Sequence, residues 1–356
     1  MRVILANSEP GFRGGEHQTV ALAKGLLDAG LDVHAAVARG SRLEAELSGS
    51  IEVHPLAFES VPIVTPIRLR GMISSLGADI LHAQTSRSHT HLWLARMLLD
   101  DPPPLVVSRR VAFKPRGGLK YRSGIAHYIP ISLAAARGLS SVGVPDQEMT
   151  VIPSGIDVRS FHGSSGDERL IEGWGFGPGR TLIGTVAALE REKGLMTLIA
   201  AAHKIIMQRD GCDFLVVGEG RLERELADEI ERRQITDRMK IRPQTAPLQD
   251  IMPLFDIYIL PSLAEGLSTA LIAAAATGLP IVASGVGGIP EIIGDDGGLL
   301  VLPGDAGELS SAVTRLLDDA SLRGEISAKA ARRADAFDIE RTVQATAEVY
   351  RRVIAT

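Results

Sequence analysis

Three short clusters in this sequence combine the residue types that handle anions. Gly14-Gly15 follow an apolar run and stand directly before a helical pattern. Paired glycines let backbone N–H groups approach a phosphate, and a helix N-terminus adds favourable potential. The spacing Gly11-x-x-Gly14-Gly15 is not a dinucleotide fingerprint, and read alone the pair is a flexible turn. Lys193-Gly194 also lies between a strand and a helix, after the charged run Glu190-Arg191-Glu192. A lysine there is a point charge suited to a diphosphate, although in isolation it reads as a solvated loop charge. The third cluster follows Glu265 and ends at Glu291.

Between those two glutamates, residues 266–290 contain no charged side chain. A stretch of about 20 apolar residues suffices to cross a bilayer. The internal pattern argues for a folded core instead. Ser268-Thr269 is a helix-start signal, an Ala/Leu/Ile run follows over 270–277, and Gly278 is a stop. Pro280–Ala283 then reads as a short buried strand before the loop Gly285–Gly288. A loop, a helix start and a second glycine-rich loop together make a place for an anion.

The elements that must hold these clusters alternate along the chain. Strand-like runs are Arg2–Ala6, Asp32–Val37, Ile80–Ala83, Leu105–Ser108, Tyr128–Ser132 and Thr150–Ile152, with a helix near Glu16–Ala29. The second half continues with Thr181–Val186, a helix near Leu195–Gln208, Asp213–Val217, a helix near Arg221–Arg233, and Ile257–Leu260. Such alternation implies parallel sheets covered by helices on both faces. Ligands of these sheets lie beyond the carboxyl ends of the strands, where all three clusters fall. At 356 residues the chain exceeds one ordinary core, so two domains are expected, 1–161 and 162–338, with a loose hinge over His162–Gly179. Ile339–Ile354 reads as one amphipathic helix that either caps the second domain or packs back on the first.

Composition is that of a globular enzyme, 45% hydrophobic and 23% charged, and a net charge of −5 gives no general bias toward nucleic acid. Cys212 stands alone, which excludes an internal disulfide or a cysteine-based zinc site. The first residues form a strand-like run without a signal-peptide core, so a cytoplasmic setting is expected. Against the acidic background, Pro102–Pro145 carries seven basic residues and no acidic one. Arg109, Arg110, Lys114, Arg116 and Lys120 lie among Phe113 and Tyr121 in this segment. It reads either as a binding site for an anionic partner such as a phosphorylated lipid, with peripheral contact at the inner membrane face, or as a solvated, mobile loop.

The order of motifs resembles retaining glycosyltransferases of family 4, with the GT-B fold. The matching pieces are Gly14-Gly15-Glu16, Asp79–His82, Val151–Asp157, Glu190–Gly194, Val216–Gly220, Pro261–Leu267 and Ala283–Glu291. The resemblance implies an α/β architecture of two doubly wound Rossmann-like domains with a central cleft. It also implies transfer of a sugar, with retention, from a nucleoside diphosphate sugar to an anionic glycan or glycolipid acceptor such as lipopolysaccharide. A UDP-sugar is the expected donor, with GDP- and ADP-sugars as alternatives, and no cofactor is expected. By the same resemblance Lys193 and the helix start at Ser268 and Thr269 neutralise the diphosphate, so no metal is expected there. Glu265 accepts from sugar hydroxyls, and His82 contacts the transferred sugar or the acceptor side. Gly14, Gly15, Arg191, Gly218, Glu219, Gly266 and Leu267 complete the donor-binding set.

Two positions depart from the family pattern. An arginine is expected five residues before Lys193, where this chain has Ala188, and a ribose-binding glutamate is expected eight residues after Glu265, where it has Ala273. Loss of one charge-assisted hydrogen bond costs roughly 1.5–3 kcal/mol. A catalytically impaired sugar-nucleotide-binding or partner-binding protein is therefore an alternative, as is a nucleotide-sugar epimerase on a similar fold.

Overall fold

The computed structural model describes residues 1–58, 63–115, 118–177 and 179–355. The chain divides into two compact units, one formed by Met1–Ile156 with Asp338–Thr356 and the other by Asp157–Phe337.

The first unit is built on six parallel strands: β1 (Arg2–Asn7), β2 (Asp32–Ala38), β3 (Glu52–Leu56), β4 (Ile80–Ala83), β5 (Leu105–Arg109) and β6 (His127–Pro130). They lie in the order β3-β2-β1-β4-β5-β6. Because side chains alternate along a strand, the sheet feeds two cores. Val3, Leu5, Val33 and Ala35 pack on one face with Leu22 and Leu26 of the Gly14–Asp28 helix and with Val343, Ala347 and Tyr350 of the Ile339–Ile354 helix. Ile4, Ala6, Ala36 and Leu81 pack on the other with Leu69, Ile73, Leu92 and Ala95, from the helices Val64–Leu76 and Ser86–Arg96.

The second unit repeats the plan with β7 (Thr181–Val186), β8 (Cys212–Val217), β9 (Met239–Arg242), β10 (Ile257–Leu260), β11 (Ile281–Ser284) and β12 (Leu299–Val301), all parallel. Their order is β12-β11-β10-β7-β8-β9. Helices Leu195–Gln208, Glu223–Arg232 and Ala306–Asp318 supply one core with Ile183, Phe214, Val216 and Ile257. Cys212 is buried in β8.

The uncharged run resolves into interior elements. Ser268 caps a helix over Thr269–Thr277, its Oγ accepting from Leu271 N at 3.2 Å, and Gly278 ends it. Leu271–Ala276 are all buried, and the helix packs against Ala320–Ala334. Among the described residues no helix is long and apolar enough to cross a membrane.

Two features differ from expectation. Thr150–Ile152 is not a strand, although Thr150 and Ile152 N–H groups donate to Tyr128 and Pro130 carbonyls at 3.0 Å. Conversely, β3, β9 and β12 escape the sequence pattern. Each is an edge strand, where half of the pairing and much of the burial is missing, so its apolar signal is weak.

Candidate functional site

The second unit gathers its candidate residues at the carboxyl ends of four neighbouring strands. β7 leads into Glu190–Gly194, β8 into Gly218–Gly220, β10 into Pro261–Ser268, and β11 into Gly285–Gly288. Hydrogen bonds of main chain lock two of these loops together, with Leu263 N donating to Glu192 O at 2.7 Å and Ala264 N to the same oxygen at 3.3 Å. Two glycines make the remaining contacts tight enough. A Cβ on Gly194 (φ 64°) would fall 1.9 Å from Pro261 O, and one on Gly287 (φ 57°) would fall 1.7 Å from Glu265 O. Only glycine fits either position, so the Glu265 loop is gripped between backbones.

Inside this frame Lys193 Nζ donates to Glu265 Oε2 at 2.6 Å, and Ser262 Oγ donates to the same oxygen at 3.4 Å. The side chains are 20% and 10% exposed, so the pair is largely withdrawn from water yet reachable. The other carboxylate oxygen of Glu265 takes no hydrogen bond among the described residues. Lys193 has three donors, of which one is used here. The start of the Thr269–Thr277 helix, four residues on from Glu265, presents the positive end of its dipole at the same edge.

The other residues expected to bind a donor are placed unequally. Gly266 and Thr269 are half-buried beside Glu265, whereas Leu267 and Ser268 are buried. Arg191 and Glu219 are exposed, and Gly218 is buried with its N–H on Arg242 O at 2.8 Å. Sequence reading missed the partner of Glu190. That carboxylate is 3% exposed and takes Arg221 Nε and Nη2 on one oxygen at 3.0 and 2.8 Å, bracing the Lys193 loop from behind. Ala273, at the position expected to hold a glutamate, is fully buried.

In the first unit Gly14 and Gly15 open the Gly14–Asp28 helix after β1. Glu16 turns inward, accepting from Arg13 N at 3.0 Å and Asn7 Nδ2 at 3.3 Å, and so fixes the helix start. Beneath Gly15 lies Arg110, whose Nη2 donates to Gln84 Oε1 at 2.5 Å. Burial pulls its pKa down to about 10, with Glu16 acting the other way.

His82 belongs to this same interior cluster. It is the third residue of β4 and fully buried, with Nδ1 2.5 Å from Tyr350 Oη and Nε2 2.8 Å from Ser108 Oγ. Burial first, then the Arg110 charge, lowers its pKa to about 3, so it is neutral at physiological pH. With both ring nitrogens engaged, His82 meets a cavity of only about 20 Å³, shared with Gln18, Ser108, Arg110 and Ser154. That is room for about one water rather than a sugar ring.

The basic segment divides as well. Arg109 is buried, its guanidinium on the Phe113 carbonyl and 5.2 Å from the Phe113 ring. Lys120 donates to Ser86 O, Ser86 Oγ and Thr90 Oγ1 at 3.0, 3.1 and 2.8 Å. Lys114 is exposed, and Arg116 lies outside the described residues. Arg109 is therefore an interior cation, whereas Arg110 is half-buried. Their guanidinium groups satisfy acceptors that the interior would otherwise strand.

Two doubly wound parallel sheets, each with its glycine-rich loops at the carboxyl edge, define the GT-B architecture. The chain belongs to glycosyltransferase family 4: the family model described as Glycosyltransferase Family 4 matches residues 12–160, and that described as Glycosyl transferases group 1 matches 180–319. EpsF of Bacillus subtilis is 24% identical over 251 residues, covering 66% of this chain and 65% of EpsF. LpsB of Rhizobium meliloti, a lipopolysaccharide core biosynthesis mannosyltransferase, is 24% identical over 214 residues, 58% of this chain and 61% of LpsB. The chain thus spans less than two thirds of the length of either relative. In fold, HepE of Anabaena in complex with UDP-glucose is similar at a TM-score of 0.85 and 20% identity, over 98% of both chains.

Proposed function

We propose that this chain transfers a sugar from a nucleoside diphosphate sugar to a glycan or glycolipid acceptor in cell-envelope polysaccharide assembly, with retention of configuration. The observation that carries this reading is the Lys193–Glu265 pair, held at 2.6 Å beside the start of the Thr269–Thr277 helix. Two donors of Lys193 remain for diphosphate oxygens, and the helix start adds a fixed positive potential. Both act on charge that builds on the leaving group as the glycosidic bond breaks. Glu265, oriented by Lys193 and Ser262, has one oxygen to accept from donor-sugar hydroxyls. The chain's contribution is positioning and leaving-group stabilisation, the departing phosphate taking the acceptor's proton.

UDP-sugars are the first donors to try, because HepE was crystallised with UDP-glucose. Lipopolysaccharide-type acceptors come next, because LpsB acts in lipopolysaccharide core biosynthesis. His82 enters this reading as a positioning residue for Ser108 and Tyr350, with the exposed Lys114 left to meet an anionic acceptor. Incubating the chain with UDP-, GDP- and ADP-sugars and membrane glycolipid tests it, nucleoside diphosphate release coupled to glycolipid labelling being the expected result. Binding of the nucleotide sugar without turnover under every pairing would favour the second reading, a sugar-nucleotide-binding protein. Ala188 and the buried Ala273 are the observations on that side.

A further inference from the structure

We propose that His34, Glu52 and His54, on the first two outer strands of the N-terminal sheet, form a divalent-metal site of the zinc type. It lies outside the sugar-handling residues and does not depend on their reading. In the β2–β3 ladder His34 pairs with Glu52 and Ala36 with His54, so all three side chains stand on one face of two adjacent parallel strands. That face is the one on which Ala36, Ala38 and Leu56 enter the core with the Val64–Leu76 and Ser86–Arg96 helices.

The donor atoms already converge. His34 Nδ1 lies 3.3 Å from His54 Nε2 and 3.5 Å from Glu52 Oε2, and His54 Nε2 lies 3.6 Å from Glu52 Oε1. One ligand atom from each residue falls within 4.8 Å of the others. Donors about 2.0–2.2 Å from a tetrahedral zinc sit roughly 3.3–3.5 Å apart. The two imidazole nitrogens already have that spacing, and Glu52, which faces each ring with a different oxygen, needs only a rotation of its exposed carboxylate to offer one oxygen to both.

The surroundings supply what a metal-bound imidazole requires. His34 Nε2 makes no hydrogen bond among the described residues but lies 3.2 Å from Asp32 Oδ1, so a small turn of the ring would let that carboxylate hold the proton on Nε2 and leave the Nδ1 lone pair facing the other two ligands. Asp32 is itself held by Arg2 Nε at 2.5 Å. This carboxylate–histidine–metal relay is the usual way a ligand ring is oriented. The side chains grade from 6% exposed at His34, through 23% at His54, to 63% at Glu52, giving a rigid base and an open approach for the ion. Two imidazoles and one carboxylate favour zinc over magnesium or calcium, which prefer oxygen alone.

In register His34 lies beside Ile4, three residues before the end of β1 and therefore about 10 Å along the strand from the Gly14–Gly15 end of the sheet. A metal there would fasten edge strand β3 to β2 rather than take part in sugar transfer.

The test uses the full chain, free of any histidine tag and stripped with a chelator, titrated with ZnCl2 by calorimetry and with CoCl2 by visible absorption. Wild type should bind one zinc at micromolar affinity or tighter, show the bands of four-coordinate cobalt, and gain thermal stability with zinc. His54→Gln, on the half-exposed strand, should weaken binding by at least about tenfold while its metal-free melting temperature stays close to wild type. Glu52→Gln, wholly at the surface, should weaken it in the same direction. No saturable zinc binding by wild type, or equal binding by His54→Gln, would overturn the assignment.

Discussion

Gly287 and Glu265 are bound to one another by the absence of a single atom. The backbone of Gly287, at φ 57°, passes so close to Glu265 that a Cβ would lie 1.7 Å from its carbonyl oxygen. The glycine after β11 thereby sets where the loop after β10 runs, and with it the carboxylate that meets Lys193. Gly287→Ala combines a left-handed backbone with a clash that only loop movement relieves. It should cost about 2–3 kcal/mol of stability and reduce donor affinity together. Chemical denaturation and nucleotide titration of the same preparation check this, and unchanged donor affinity would separate the two glycine-framed loops from the site.

Glu265→Gln retains the shape of the side chain and removes its charge. Nucleoside diphosphate affinity should stay within about threefold, because phosphate is assigned to Lys193 and the helix start. Sugar transfer should fall by roughly 100-fold, as when one oriented polar contact to the reacting group is lost. Comparing UDP affinity with initial transfer rate distinguishes this from general unfolding, which would lower both.

The buried histidines make the N-terminal unit sensitive to acid. Burial holds His82 at about 3, with Arg110 adding to the effect, and His127 at about 4, with Arg352 adding to it. Their ordinary value is 6.5. Between about 6.5 and those lower values the unfolded chain takes up protons that the folded chain refuses. Stability therefore falls as pH drops through that window and recovers as pH rises. Urea midpoints measured at pH about 7 and about 5 should show the loss, and His82→Gln should flatten the dependence. A midpoint that rises on acidification would contradict the burial assigned to His82.

Ala273 tests how the donor is held. The position is fully buried within the Thr269–Thr277 helix, so Ala273→Glu should lower the melting temperature of the ligand-free chain by a few degrees. A carboxylate that reaches the ribose hydroxyls should raise donor affinity by about tenfold. Calorimetry on the two proteins measures both, and a stability loss with no gain in affinity would mean that the ribose is gripped by other groups.

Much of the second unit was legible because its signals are local. Ser268, the apolar run and Gly278 mark a cap, a helix and a stop within eleven residues, and the helix lies at Thr269–Thr277. The Thr181–Val186 and Ile257–Leu260 strands, flanked by clear breaks, fall where the pattern puts them. The basic segment of the first unit was less legible because charge composition carries no depth. Arg109 and Arg110 read as one basic patch, yet Arg109 ends β5 as a buried residue and Arg110 is half-buried. Nor could spacing reveal that Tyr350, 268 residues away, would meet His82. The metal-type cluster stayed hidden for the reason β3 did. Glu52, His54 and Pro55 look unlike a strand, and only the parallel register brings Glu52 and His54 beside His34.

The account rests most directly on Lys193 as the cation that receives a nucleoside diphosphate. Titration calorimetry of UDP against wild type and Lys193→Ala measures that claim without requiring the acceptor. Wild type should bind, and the variant should bind about 10- to 100-fold more weakly, the value of one charge-assisted hydrogen bond. Equal affinity in the two proteins, or no binding of UDP, GDP or ADP by wild type, would contradict it.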